Sequence, residues 1–340
     1  MEAATAFEKS QVSARQIAKR ILGEIMSYRR VPQSHDACRD VRCLKCAEWH
    51  LPKILETVEL NEPVSFVLPA FPGKSPNPEK VLGALPDFAE RLSLLFLASL
   101  CRKVKRYYSP GIKILLCSDG RVFSDVVGMK ETDVTAYQIE LDRLIEELHI
   151  TDLSTFNLDD HFGSLDFATM REELMATYGT SLEELRAKVQ AGATTLGSLE
   201  DQESNRMYRG ITRFMFEDSL YPGQKKSRTA LQAEAKTKAY EVIRRSNAWS
   251  ELIAERFPRS VRLSIHPQGC GAKKLGIRLI ADESWMTPWH GVAVETPAGF
   301  ILLKRSAART LGAELVLDKN DRPSHFRLAT SLKTREGELT

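Results

Sequence analysis

The sequence predicts an α/β fold, and three observations carry the prediction. Two apolar, β-branched runs, VSFVL (64–68) and IKILLC (112–117), read as strands buried on both faces. Each breaks abruptly into turn-forming and polar residues, PAFPGKSPN after the first and SDGR after the second. Segments of helical spacing lie between and beyond them, the alternation that builds a parallel sheet. The expected architecture is a Rossmann-like mixed sheet, parallel in its first half and antiparallel in its later strands, with a helical insertion.

In chain order, residues 9–30 carry Ile17, Ile21, Ile25 and Met26 on one stripe opposite basic residues, which predicts an amphipathic helix. A loop with Pro32 and three cysteines follows, then an amphipathic turn or two through Leu51–Leu60. Val64–Leu68 is the first strand, and Pro86 suits the first position of a helix running through Leu100. Ile112–Cys117 is the second strand, followed by helices near Ser124–Met129 and Asp133–Leu148 and a short third strand at Thr155–Leu158. Residues 165–257 are mostly helical in pattern. Val261–Ile265, Gly276–Ile280, Gly291–Glu295 and Phe300–Leu303 then follow closely, with turns such as TPAG (296–299) between them, a spacing that suits antiparallel pairing. No repeat or low-complexity linker divides the chain. Its organisation reads as an N-terminal helical, cysteine-containing extension over 1–60, a main body over 61–310 and a C-terminal tail over 311–340.

Composition narrows the function classes. The 340 residues are 43% hydrophobic and 27% charged, ordinary values for a globular protein with a real core. A net charge of +3 is too small to argue for nucleic acid. The longest apolar stretch, LSLLFLASL (92–100), is too short to span a membrane, and MEAATAFEKSQ offers no hydrophobic leader, so a cytoplasmic protein with six reduced cysteines is expected.

Ligands of open α/β sheets bind beyond the carboxyl ends of the strands, which directs attention to the polar residues there. After the first strand, Lys74 and Ser75 suit a phosphate or carboxylate, the bland alternative being a solvated turn; the spacing is not that of a Walker loop. After the second, Asp119 with Gly120 and Arg121 suits a hydroxyl or amine, unless Ser118 or Asp119 only caps a helix. His161, beside Asp159 and Asp160, repeats the theme after the third. Arg206, Arg209 and Arg213 share one helical face, either an anion clamp or a basic surface balanced by nearby acids. Arg262, Ser264 and His266 alternate along a strand and face one side; the QGCG turn with Lys273 and Lys274 that follows is a weaker anion signal. Trp289 and His290 open a strand, with Trp289 equally suited to the core and His290 to acid–base work. Finally, Cys38, Cys43, Cys46 and His50 offer four ligands for a structural zinc, against a default of reduced cysteines.

The segments VLPAFPGKSPNPEKVLG, PDFAE, LLCSDGRVFSD, NLDDHF, MYRGITRFMFED, RLSIHP and PWHGV, in that order between about Val64 and Leu303, resemble the isocyanide (isonitrile) synthases of the pyoverdine/dityrosine biosynthesis family. The resemblance implies a catalytic region over 61–310 that condenses the amine of an L-amino acid with the C2 ketone of ribulose 5-phosphate. Fragmentation then leaves one carbon on nitrogen as an isonitrile for secondary metabolism, with no redox cofactor. It also implies a separate iron(II)/2-oxoglutarate dioxygenase as partner, since no HxD…H facial triad is evident in this sequence. Under this reading Lys74, Ser75, Arg121, Arg206, Arg209, Arg213, Arg262 and Trp289 hold substrate, and Asp119, His161, His266 and His290 move protons. Two alternatives stay open: a formyl-type modification of tyrosine for dityrosine-like wall precursors, and a non-catalytic phosphosugar-binding protein. A nicotinamide dehydrogenase is disfavoured, because no G-x-G-x-x-G follows the first strand.

Overall fold

The computed structural model describes residues 2–33, 38–194 and 197–328, with side chains from residue 14 onward except that of Leu199. The elements run α1 (Glu2–Met26), α2 (Leu44–Ala47), α3 (Leu51–Glu59), β1 (Val64–Pro69), α4 (Phe88–Lys105), β2 (Ile112–Cys117), α5 (Gly120–Val127), α6 (Glu131–Glu147) and β3 (Leu153–Phe156). A helical stretch follows: α7 (Asp159–Phe162), α8 (Phe167–Tyr178), α9 (Leu182–Ala191), α10 (Leu199–Asp218) and α11 (Arg228–Arg256). The chain then forms β4 (Val261–Ser264), β5 (Leu275–Gly276), a 3-10 turn at Pro288–His290, β6 (Val292–Thr296), β7 (Gly299–Leu303), α12 (Arg305–Thr310), β8 (Glu314–Leu317) and β9 (Pro323–Arg327). None of these helices is long and apolar enough to cross a membrane.

The first sheet has the order β3-β2-β1-β4-β5 and is parallel throughout. Alternate residues of β1 and β2 go to opposite faces, as strand geometry demands. Phe66, Leu68, Ile114 and Leu116 join Ile21 and Ile25 of α1 and Leu94 and Leu97 of α4 in one core. Val67 and Cys117 join Trp249 and Leu252 of α11 and Leu174 of α8 in the other. The α/β reading therefore holds, with a helical insertion between β3 and β4.

Two strands sit differently from expectation. Val261–Ser264 does not open the antiparallel half; it pairs in parallel with β1, Phe66 opposite Val261, and β5 extends the same sheet. The helical stretch α7–α11 carries the chain from β3, at one edge of the sheet, back across it to the far side of β1, where β4 pairs. The antiparallel pairing falls instead in a second sheet, of order β7-β6-β9-β8, where β6–β7 and β8–β9 are antiparallel and β6–β9 is parallel. Residues 314–327, expected in a C-terminal tail, supply two of its strands, while 329–340 lie outside the described residues. Pro86 precedes rather than starts α4. Asp87 is the N-cap, its carboxylate accepting from Ala89 N at 2.8 Å while Glu90 accepts from Asp87 N at 3.0 Å.

In sheet order the chain runs β1, β2, β3 towards one edge and β4, β5 towards the other, so the reversal lies between β1 and β4. The carboxyl ends of β1, β2 and β4 stand side by side there, the place where open α/β sheets hold ligands.

Candidate active site

The turn after β1 is built by close packing of backbone. Phe71 and Gly73 take positive φ, at 60° and 128°. The carbonyl of Pro72 lies 1.8 Å from where a Cβ on Gly120 would stand, so only glycine lets the loops after β1 and β2 touch. That contact fixes Asp119 beside the first loop. Asp119 is the N-cap residue of α5, yet its side chain makes no capping bond and Oδ1 has no hydrogen-bond partner. Burial pushes its carboxyl up to about 7. The side chain is half-buried at the carboxyl end of β2, beside the loop after β1.

His266 and His290 have the same character. His266, two residues beyond β4, is exposed yet hemmed in, and desolvation lowers its imidazole to about 4. His290, on the 3-10 turn before β6, is lowered to about 3 by burial, and its Nδ1 has no partner. The two rings are close enough to influence each other, and His290 also feels Asp218, Lys80 and Lys74. Both imidazoles are therefore neutral at pH 7 and able to accept a proton.

Asp218, from the end of α10, joins this group. Lys80 Nζ meets its Oδ1 at 2.6 Å, Ser75 Oγ donates to the same oxygen at 2.7 Å, and Phe214 packs edge-on against His290 at 4.4 Å. Opposite, Arg262 and Lys274 both donate to Ser250 Oγ of α11, the lysine at 2.9 Å. Neither has a carboxylate within ion-pair distance among the described residues. Burial lowers both, and repulsion from Arg262 adds to it at Lys274, which falls to about 8. Glu251 acts on both and Glu203 on Lys274 only from beyond ion-pair distance, so the two half-buried cations keep positive charge that a phosphate or carboxylate would complement.

Several expected site residues are placed elsewhere. Lys74 is wholly buried, its ammonium held by Asp87 Oδ2 at 2.8 Å, Glu90 Oε2 at 2.7 Å and Pro288 O at 3.0 Å. Its three donors are used, which leaves none for a substrate anion. Trp289 lies in the core against Phe71, with ring centroids 5.3 Å apart. Arg206, Arg209 and Arg213 are exposed on α10, and Arg213 is spent on Glu217 at 2.9 Å, because the helix turns that stripe away from its packed side. His161 is exposed on α7, edge-on to Phe162 at 4.6 Å, with no hydrogen bond or ion pair to the crevice. Arg121 is buried in the first turn of α5, 3.3 Å from Asp159 and over the Phe167 ring, with Nη1 unpartnered. A cavity of about 310 Å³ opens beside the first loop, lined by Lys74, Ser75, Val81, Leu82, Met129 and Arg305, and Ser75 links its wall to Asp218.

Against this geometry the comparisons with known proteins are decisive. The family model described as pyoverdine/dityrosine biosynthesis protein matches residues 54–316, which include every residue of the crevice named above. The chain belongs to that family. It is 45% identical over 316 residues to an L-tyrosine isonitrile synthase of Pseudomonas aeruginosa, covering 91% of this chain and 93% of the relative. An L-tryptophan isonitrile synthase of Fischerella ambigua is 43% identical over 311 residues, 91% of each chain. The crystal structure of the PvcA protein from Pseudomonas aeruginosa superposes with a TM-score of 0.84 at 45% identity, covering 92% of this chain and 99% of that one. The protein is accordingly an isonitrile-forming enzyme of the pyoverdine/dityrosine biosynthesis family.

Within this family member, sequence reasoning missed Lys80 and Asp218 and undervalued Lys274. Lys80 and Asp218 lie 138 positions apart by number and offer no local motif. Lys274 had a visible signal, a lysine pair after a glycine-rich turn, but nothing local showed that it folds back against Arg262.

Proposed function

We propose that this enzyme builds an isonitrile on the amino nitrogen of an aromatic L-amino acid, with the carbon drawn from ribulose 5-phosphate. One observation carries the reading: two cations without an ion-pair partner among the described residues, Arg262 in β4 and Lys274 in the loop after it, share Ser250 close to neutral His266 and near-neutral Asp119 at the strand ends. A phosphosugar supplies the anion that the cations lack. Condensation of an amine with a ketone forms a C–N bond and expels the carbonyl oxygen as water, and each step needs a proton moved. Asp119, with a carboxyl near neutrality, is suited to take a proton from the substrate ammonium; His266 and His290 serve the later transfers. Aromatic substrates are favoured because the relatives named above act on tyrosine and tryptophan. The reading calls for no redox cofactor, places the reaction in the cytoplasm and leaves oxidation of the product to a separate iron(II)/2-oxoglutarate dioxygenase.

The test is incubation of the purified protein with L-tyrosine, L-tryptophan, L-valine or L-leucine and ribulose 5-phosphate carrying ¹³C at C2. The expected result is an isonitrile infrared band and a labelled product from an aromatic substrate. An unlabelled isonitrile would overturn the carbon source, and turnover confined to valine or leucine would overturn the aromatic assignment.

A further inference from the structure

The zinc site expected from Cys38, Cys43, Cys46 and His50 takes a different form in three dimensions. His50 is buried but outside the thiol cluster; its place is taken by Cys270, from the turn between β4 and β5. The four Sγ atoms all lie within 4.8 Å of one another. Cys46 is 3.5 Å from Cys270 and 4.0 Å from Cys38, and Cys43 is 3.6 Å from Cys270. A tetrahedral zinc with Zn–S bonds of about 2.3 Å sets its sulfurs about 3.8 Å apart, which these separations bracket. A disulfide would need about 2.05 Å. Arg29 donates to Cys46 Sγ at 3.4 Å and to Cys38 Sγ at 3.6 Å, the outer contacts that steady metal-bound thiolates and offset their charge. Gly271, with φ of 78°, turns the chain back directly after Cys270 and lies against the Lys45 side chain of α2.

We propose that Cys38, Cys43, Cys46 and Cys270 bind one zinc ion as a closed tetrathiolate clasp that ties the β4–β5 loop to α2. Four protein ligands leave no open position, so the metal is structural. Its site stands on geometry alone. Its consequence rests on the active-site reading: Cys270 lies four residues after His266 and four before Lys274, so the clasp holds the loop that presents both.

Elemental analysis of the full-length protein should find one zinc per chain. Exchange with Co²⁺ should give the thiolate charge-transfer and tetrahedral d–d bands of a four-sulfur site. Cys270→Ser should weaken these signals and release the metal to a chelator, whereas His50→Gln should keep it. A protein without metal both as isolated and after reconstitution, or one in which His50→Gln loses zinc and Cys270→Ser does not, would overturn the ligand set. Where Cys270→Ser fails to fold, the metal content and cobalt spectrum of the wild type still decide. Chelated protein should show a KM for ribulose 5-phosphate raised at least tenfold; unchanged kinetics after proven metal loss would refute the positioning role and leave the site.

Discussion

Two lysines of this protein, Lys74 buried and Lys274 half-buried, have opposite surroundings, and the contrast distinguishes a supporting charge from one left available to a ligand. In the loop after β1, Lys74 lies between Asp87 and Glu90 with a carbonyl for its third proton. In the loop after β4, Lys274 shares a serine hydroxyl with Arg262 and faces no carboxylate at ion-pair distance among the described residues. The first arrangement satisfies every charge and locks the capped start of α4 beneath the site. The second leaves positive charge uncompensated, a cost that folding tolerates and a ligand removes. A buried, fully paired charge such as Lys74 supports the fold, and the lysine without an ion-pair partner is the one the proposed function uses.

The comparison can be broken most severely at the group that shares the crevice with the second lysine. Asp119→Asn should lower kcat/KM by roughly 10²–10⁴-fold, the usual effect of losing a proton-transfer group. In the wild type, kcat/KM should fall as pH drops through about 7, because the base form of Asp119 is lost there, and the variant should lack that limb. A wild-type limb that persists in the variant would assign it to another group.

Lys74→Met tests the supporting lysine. It strands Asp87 and Glu90 in the core, and a loss of about 3–5 kcal/mol in denaturant-unfolding stability is expected. Lys274→Met should do the reverse. The folded-state value of Lys274 is lowered from the ordinary 10.5 to about 8, so its unfavourable effect is absent above about 10.5, develops as pH falls from there and is complete below about 8. Stability at pH 7 should hold or rise, while KM for the phosphosugar rises by about ten- to a hundredfold, as for loss of a charged hydrogen bond worth about 1.5–3 kcal/mol. If both lysine variants lose stability alike, the distinction fails. The smallest effect is expected at Arg213→Ala. Its exposed pair with Glu217 should change stability by no more than about 0.5 kcal/mol, and steady-state kinetics should not move.

Much of the fold and part of the candidate site are legible in the sequence. The runs at 64–68 and 112–117 formed strands because β-branched, uninterrupted apolar residues suit a sheet covered on both faces. Asp119, His266 and His290 were visible as polar residues at strand ends, since the break from apolar to charged marks where a strand leaves the core. Less legible was any property that needs a partner distant in sequence. The Cys-x4-Cys-x2-Cys run marks three of four clustered thiols, yet the fourth, Cys270, is supplied more than two hundred residues later. Lys74 looked like an anion anchor because the carboxylates that neutralise it lie on another element.

By itself the sequence determined which segments are strands and helices and which residue types stand at the strand ends, because periodicity and chain-breaking residues act locally. Tertiary structure alone decided that β4 inserts beside β1, which lysine stays unpaired and which sulfur completes the cluster. Those outcomes depend on through-space distances between charges and thiols, and no local pattern encodes them.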